Sequence, residues 1–303
     1  MSRYGFSFGS EIAPAGVDLA YDDKIRLFAD KLTQADAILV GGASGMSAAS
    51  GFRHYYEPDE HFVRQMSAFR DKYGYQSGFD GLYHRYQNSR ERWGFFAHWI
   101  SMILDADVGE TYTDIAKLMK NKTFHVMTTN QDFQFEKVFD TDKVSAIQGD
   151  WRYIQCSRRC HDEIYDASEI YPKLDKLIDN DLCLADEHIP KCPKCGREME
   201  PWVRSPVFLE GKKYQDEYRK IREFLDEFGG QNIVFLELGV GRMTPMFIQE
   251  PFWQLTHQLP NAFYITVNPH HAIIPKALAH KGLAIHADIL KVQKDTLGVL
   301  GVG

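Results

Sequence analysis

An α/β fold is what this sequence predicts, a parallel sheet with helices on both faces that carries a smaller zinc-ribbon and helical lobe, and three observations predict it. The apolar stretch Ala37-Ile38-Leu39-Val40 runs directly into Gly41-Gly42-Ala43-Ser44-Gly45. Similar apolar runs recur at residues 124–127, 233–236, 262–265 and 283–285, mostly separated by segments of helical period, the pattern of buried parallel strands joined by crossover helices. Two close cysteine pairs, Cys156 with Cys160 and Cys192 with Cys195, stand in a stretch that breaks this alternation. The opening strand, glycine turn and helix describe the first unit of a Rossmann-like nucleotide-binding sheet.

Along the chain, Ile25, Phe28 and Leu32 fall at helical spacing after Asp22 and Asp23, so an amphipathic helix, its first turn favoured by carboxylates, feeds the first strand. A second clear helix covers residues 212–228, with Tyr214, Tyr218, Ile221, Leu225 and Phe228 on one stripe and Gly229-Gly230 stopping it. Its stripe reads as core. The aromatic- and arginine-rich residues 52–104 and the cysteine-bearing residues 151–204 are assigned to the small lobe, as a helical module and a zinc module. Residues 1–51, 105–150 and 205–303 then make up the Rossmann-like domain.

The 303 residues hold 44% hydrophobic side chains and a formal net charge of −7, which suits a globular protein and gives no electrostatic case for a nucleic-acid or anionic-membrane partner. No apolar run approaches membrane-spanning length. Five cysteines, four of them in two pairs, favour a metal over a disulfide scaffold and a reducing compartment, hence the cytoplasm.

Each polar strand end is a candidate for chemistry. The turn from Gly42 through Ala43, Ser44 and Gly45 to Ser47 lacks bulk and opens a helix, as a pyrophosphate cradle requires. Taken alone it also reads as a plain tight turn. A conventional NAD dehydrogenase would put an acidic residue on the ribose roughly 20 residues further on, and that interval is Arg/Tyr/His-rich instead. Asn130, Gln131 and Asp132 follow one apolar run, Gln148 and Gly149 another, and Gly239-Val240-Gly241 a third. Open α/β sheets bind ligands at such ends. The cysteine quartet, with its Cys192-Pro193-Lys194-Cys195-Gly196 knuckle, fills a tetrahedral shell and leaves no open position for a catalytic water, so the zinc is expected to be structural. His161 is an alternative ligand, and Cys183 is left over.

In the order and identity of these motifs the chain resembles the sirtuins. The resemblance runs from about Ala37 to Asp288 and rests most on Ser47-Ala48-Ala49-Ser50-Gly51, Asn130-Gln131-Asp132 and the four cysteines. It departs from the family where His-Gly becomes Gln148-Gly149, where the usual Gly-Ile-Pro-Asp-Phe-Arg reads Gly51-Phe52-Arg53-His54-Tyr55-Tyr56, and where three residues separate the first cysteine pair. Those departures resemble the macrodomain-linked class M sirtuins. That resemblance implies a protein mono-ADP-ribosyltransferase using NAD as co-substrate, a lipoylated carrier related to the glycine-cleavage H protein as acceptor, a macrodomain hydrolase as functional partner and a link to oxidative stress.

It further implies that Asn130 holds the ribose, that Asp132 binds the nicotinamide side or orients the acceptor or serves as base, and that Gln148 occupies the histidine's place. Gly239, Val240, Gly241 and Asn268 would meet the adenosine ribose, and Asp288 would lie near adenine. Taken alone, Asn268 before Pro269 is a turn residue and Asp288 a helix cap. The chemistry of Gln148 points the same way: sirtuin deacylation needs a base to activate the ribose 2′-hydroxyl, and an amide cannot accept that proton. Two alternatives stay open, a lysine deacylase whose base is His54, His125 or His161, and a non-catalytic NAD or ADP-ribose sensor.

Overall fold

In the computed structural model, which describes residues 12–13 and 19–302, the central sheet has six parallel strands. In chain order the strands of the molecule are β1 (Ile12–Ala13), β2 (Ala37–Gly42), β3 (Phe124–Thr128), β4 (Val144–Ala146), β5 (Gly149–Cys156), β6 (Ile164–Asp166), β7 (Met199–Val203), β8 (Ile233–Leu238), β9 (Phe263–Val267), β10 (Ile274–Pro275) and β11 (Gly282–Ile285). The sheet runs β11-β9-β8-β2-β3-β4, and β1 pairs with β10 outside it. Successive units grow from β2 in one direction and from β8 in the other. The chain therefore reverses its order between β2 and β8, and a crevice opens beyond their carboxyl ends.

Side-chain alternation divides the core in two. Ile38, Val40, Val126, Val234 and Leu236 pack beneath the helices Tyr21–Gln34, Glu110–Leu118 and Ile289–Leu300. On the opposite face Ala37, Leu39, Ile233 and Phe235 meet the helices Lys212–Phe228 and Gln249–Gln258. The sheet is thus covered on both sides, as its unbroken apolar strands require. Gly229 ends the helix Lys212–Phe228 with its own backbone still right-handed.

The first strand is longer than its sequence suggests. Gly41 and Gly42 belong to β2, and each is a glycine because something packs on it. A Cβ at Gly41 would lie 2.4 Å from Ile248, and one at Gly42 would lie 2.3 Å from Phe135. The turn begins only at Ala43.

A second core unites residues from both of the interrupting stretches. Phe62, Phe69, Trp93, Phe95 and Trp99 pack with Trp151, Ile154, Cys156, Cys192 and Met199. The first group rides on the helices Glu60–Gln65, Ser67–Tyr73 and Ser89–Asp105, and the second on the antiparallel sheet β6-β5-β7 and its knuckle. Among the described residues no helix is long and apolar enough to cross a membrane.

Candidate functional site

A cavity of about 530 Å³ lies at the β2–β8 crevice and extends under the aromatic segment after Gly51. At its base two backbones meet. The Gly45 amide donates to the Gly239 carbonyl at 3.1 Å, and Gly239 has φ +72°, in the left-handed region. A side chain on either residue would collide with the other. The short helix Ser44–Ala49 thus starts against the end of β8, at the edge of the cavity.

Ser44, Gly45, Ser47, Asn130, Asp132, Gln148, Gly239, Gly241, Asn268 and Asp288 all border this cavity. Gly42, Ala43 and Val240 do not; they stand behind it. Gly42 is closed off by Phe135, the Ala43 carbonyl accepts from Asn130 Nδ2 at 3.0 Å, and the Val240 carbonyl accepts from Asn268 Nδ2 at 2.9 Å. These three back the residues that line the cavity. Asp288 is a cap as well as a wall, its carboxylate accepting from the Lys291 amide at the start of Ile289–Leu300.

After β3 the polar side chains of the turn interlock with the helices Ser44–Ala49 and Glu110–Leu118. Asn130 Nδ2 also donates to Ser47 Oγ at 3.2 Å and Tyr112 Oη at 3.0 Å. Ser47 donates to Asp132 Oδ2 at 2.6 Å, and the Gln134 amide donates to Asp132 Oδ1 at 3.3 Å. Burial pushes the Asp132 carboxyl above its usual range, against the pull of these two donors. Tyr112, wholly buried, stands 2.7 Å from Ser47 Oγ. Sequence reasoning missed it, because an aromatic on the buried stripe of an amphipathic helix carries no mark of a polar role.

Gln148 precedes β5 at Gly149, whose φ of +88° turns the chain sharply. Its carbonyl accepts from Gln131 Nε2 and from the Arg204 amide. Its side-chain Nε2 is buried and has no partner among the described residues, although a buried donor costs roughly 1–3 kcal/mol when left unpaired. An acceptor atom supplied by a ligand would resolve that debt. Nearby, Arg152 is held between Asp150 and Glu136, and burial with the neighbouring Asp150 pushes Glu136 up to about 8.

Of the three candidate histidines only His54 reaches the cavity, with Nδ1 at 3.4 Å from Asp59 Oδ2. His125 lies within β3, its Nε2 2.8 Å from Ser145 Oγ, and burial lowers its pKa to about 4. His161 lies by the cysteines, with Nδ1 at 3.0 Å from Cys160 Sγ and Nε2 at 2.8 Å from Tyr165 Oη.

The four ligand sulfurs of Cys156, Cys160, Cys192 and Cys195 lie within 4.8 Å of one another. The Cys156–Cys195 and Cys160–Cys192 separations are 3.6 and 3.7 Å, close to the edge of about 3.8 Å of a tetrahedron with zinc–sulfur bonds of about 2.3 Å. The quartet fits zinc, which would tie the turn after β5 to the knuckle before β7. Cys183 is apart from it, its thiol facing the Asp181 carbonyl.

No family model matches the chain. A Staphylococcus aureus protein named protein ADP-ribosyltransferase is 30% identical over 280 residues, spanning 90% of this chain and 88% of that protein. A Fusarium oxysporum f. sp. cubense protein named "Probable bifunctional ADP-ribose hydrolase/ADP-ribosyltransferase" is 27% identical over 82% of this chain and 42% of its own length. Among solved structures, Sir2 bound to acetylated peptide superposes with a TM-score of 0.58 at 16% identity, covering 92% of this chain and 99% of that one. A Sir2 homolog–NAD complex superposes with a TM-score of 0.57 at 14% identity, covering 91% and 93%.

Proposed function

The chain belongs to the protein ADP-ribosyltransferases of the sirtuin family, and from that premise we propose that it takes ADP-ribose from NAD and attaches it to a protein with release of nicotinamide. The observation that carries the reading is Gln148: a buried amide, its donor unpartnered among the described residues, borders the cavity where a deacylase needs a base. Glutamine can orient a ribose hydroxyl but cannot deprotonate it. Transfer needs only the leaving group, the ribose carbon and the acceptor held in line with dipoles near the developing charge.

In this reading the glycine contact at Gly45 and Gly239 lets the backbone approach the pyrophosphate. Asn130 positions the ribose from its anchorage on Ala43, Ser47 and Tyr112. Asp132 faces the nicotinamide side, where a carboxylate stabilises the positive charge that grows on the ribose as the bond lengthens. Gly241 and Asn268 meet the adenosine ribose, and Asp288 lies towards adenine. The zinc is structural and takes no part in the chemistry.

The acceptor proposed is a lipoylated carrier related to the glycine-cleavage H protein. The cavity lining includes Phe52, Tyr55, Phe79, Tyr83 and Trp99, which would offer an apolar surface to a long apolar stem. A macrodomain hydrolase is proposed to reverse the modification; the Fusarium relative's name joins ADP-ribose hydrolase with transferase in one protein. A reducing cytoplasm, where thiolates keep their zinc, is the proposed setting, and oxidative stress the proposed context.

A deacylase with a displaced base is the second reading, favoured by His54 on the cavity wall. Mass spectrometry separates the two after incubation with NAD and either lipoylated carrier, unlipoylated carrier or an acetyl-lysine peptide. The transferase reading expects an ADP-ribose adduct on the lipoylated carrier that disappears with Asn130→Ala. Deacetylated peptide without an adduct would overturn it in favour of His54, and no nicotinamide release with any acceptor would leave only a binding role.

A further inference from the structure

We infer that Tyr112 is a positioning residue of the transferase: from within the core it sets the direction of the hydrogen bonds that present Asp132 as a carboxylate. The inference rests on the transferase reading for its catalytic consequence, and on geometry for the relay itself.

Tyr112 sits on Glu110–Leu118 with no exposed surface, its ring edge-on to Phe135 at 4.9 Å between centroids. A tyrosine hydroxyl in such a place needs partners, and it has two. Asn130 Nδ2 is a donor only, so Tyr112 Oη accepts there. Its hydrogen then has one acceptor left, Ser47 Oγ at 2.7 Å. Ser47, receiving that hydrogen, spends its own on Asp132 Oδ2 at 2.6 Å. The chain Tyr112 to Ser47 to Asp132 therefore runs one way. A donor hydrogen bond to a carboxylate is stronger than one to the neutral acid, and a proton on Oδ2 would displace the Ser47 hydrogen from it, so the relay favours the ionised carboxylate.

That bias works against burial, which raises the Asp132 pKa. The groups that face Asp132 besides the relay are His54 from the segment after Gly51, and Lys137 and Glu136 from the turn that follows Asp132. None of them changes in a Tyr112 variant. A hydrogen bond to a charged group is stronger than one to a neutral group, and bonds in a chain polarise one another. Removing the outer donor weakens the inner one.

The test compares wild type, Tyr112→Phe, Asp132→Asn and the double variant as full-length chains. Three readouts are taken: nicotinamide release against pH with saturating NAD and acceptor, KM for NAD, and the Asp132 carboxyl titration by 13C NMR, with Asp132→Asn identifying the signal. The expected result for Tyr112→Phe is a five- to fifty-fold lower kcat, a KM for NAD within threefold of wild type, and an Asp132 midpoint and acid limb displaced to higher pH. In the Asp132→Asn background the same change should cost less than twofold, because the relay has lost its target. An unmoved Asp132 midpoint in folded Tyr112→Phe would overturn the inference, as would an undiminished penalty in the double variant. If wild type releases no nicotinamide, the transferase reading fails while the NMR midpoint still decides the relay. Should Tyr112→Phe fail to fold, Ser47→Ala breaks the relay one step later and must raise the same midpoint.

Discussion

Gly45 and Gly239 touch backbone to backbone, so closely that a Cβ on Gly45 would stand 2.5 Å from the Gly239 Cα. No flexible side-chain end is there to yield; the helix Ser44–Ala49 would have to leave β8. Gly45→Ala should therefore raise KM for NAD at least tenfold and lower the melting temperature, since overpacking costs typically 1–3 kcal/mol. Gly230→Ala is the control, for a Cβ there meets nothing within 4 Å. Thermal unfolding and NAD titration of both proteins check this, and wild-type affinity in Gly45→Ala would show that the contact serves packing alone.

The Gln148 side chain separates function from stability more cleanly. Its Nε2 has no partner to lose among the described residues, so Gln148→Ala should leave unfolding free energy within about 1 kcal/mol of wild type while kcat falls at least tenfold. Denaturant titration and nicotinamide release measure the two. A large stability loss with intact turnover would assign the residue to packing.

The sheet was legible in the sequence because buried parallel strands read as short apolar runs, and every strand of the central sheet starts within a residue of such a run. Gly41 and Gly42 misled for a physical reason. Their smallness serves Ile248, Phe252 and Phe135, which pack on the strand itself, and sequence alone cannot tell a packing glycine from a turn glycine. Residues 52–104 gave little helical periodicity because three of the helices there, Glu60–Gln65, Ser67–Tyr73 and Gly78–Tyr83, are shorter than two full turns. The caps were nonetheless there to be read, for Asp59, Ser77 and Asn88 each accept from an amide three residues on. Tyr112 lay beyond reach, as its partners are 65 and 18 residues away.

Within the metal centre, burial should rank the cysteines. Cys156 is wholly buried in the second core, and Cys195 is exposed. Either Cys→Ser change removes a thiolate and should release zinc, as should a strong chelator, with a fall in melting temperature. Cys156→Ser shortens a side chain at a fully buried position and should cost about 1 kcal/mol more than Cys195→Ser. Metal analysis with calorimetric unfolding would check the order; equal losses would mean that zinc alone carries the effect.

Glu237 gives the fold a pH dependence of its own. It is buried in β8, receives hydrogen bonds from Gln249, Tyr264 and Thr266, and burial pushes its pKa up to about 7 against their pull. The folded value exceeds the unfolded one, so the folded chain binds the extra proton and stability from this group is complete below about pH 4.5. It is lost as pH rises through about 7, at up to about 1.4 kcal/mol per pH unit in that window. Glu237→Gln, which keeps the shape without the titration and can still accept from Gln249 and Thr266 through its amide oxygen, should lack this slope, so its stability relative to wild type should rise between pH 5 and 8. Denaturant unfolding of both proteins between pH 5 and 8 measures the slopes, and parallel slopes would mean that Glu237 stays ionised throughout and that its three donors outweigh its burial.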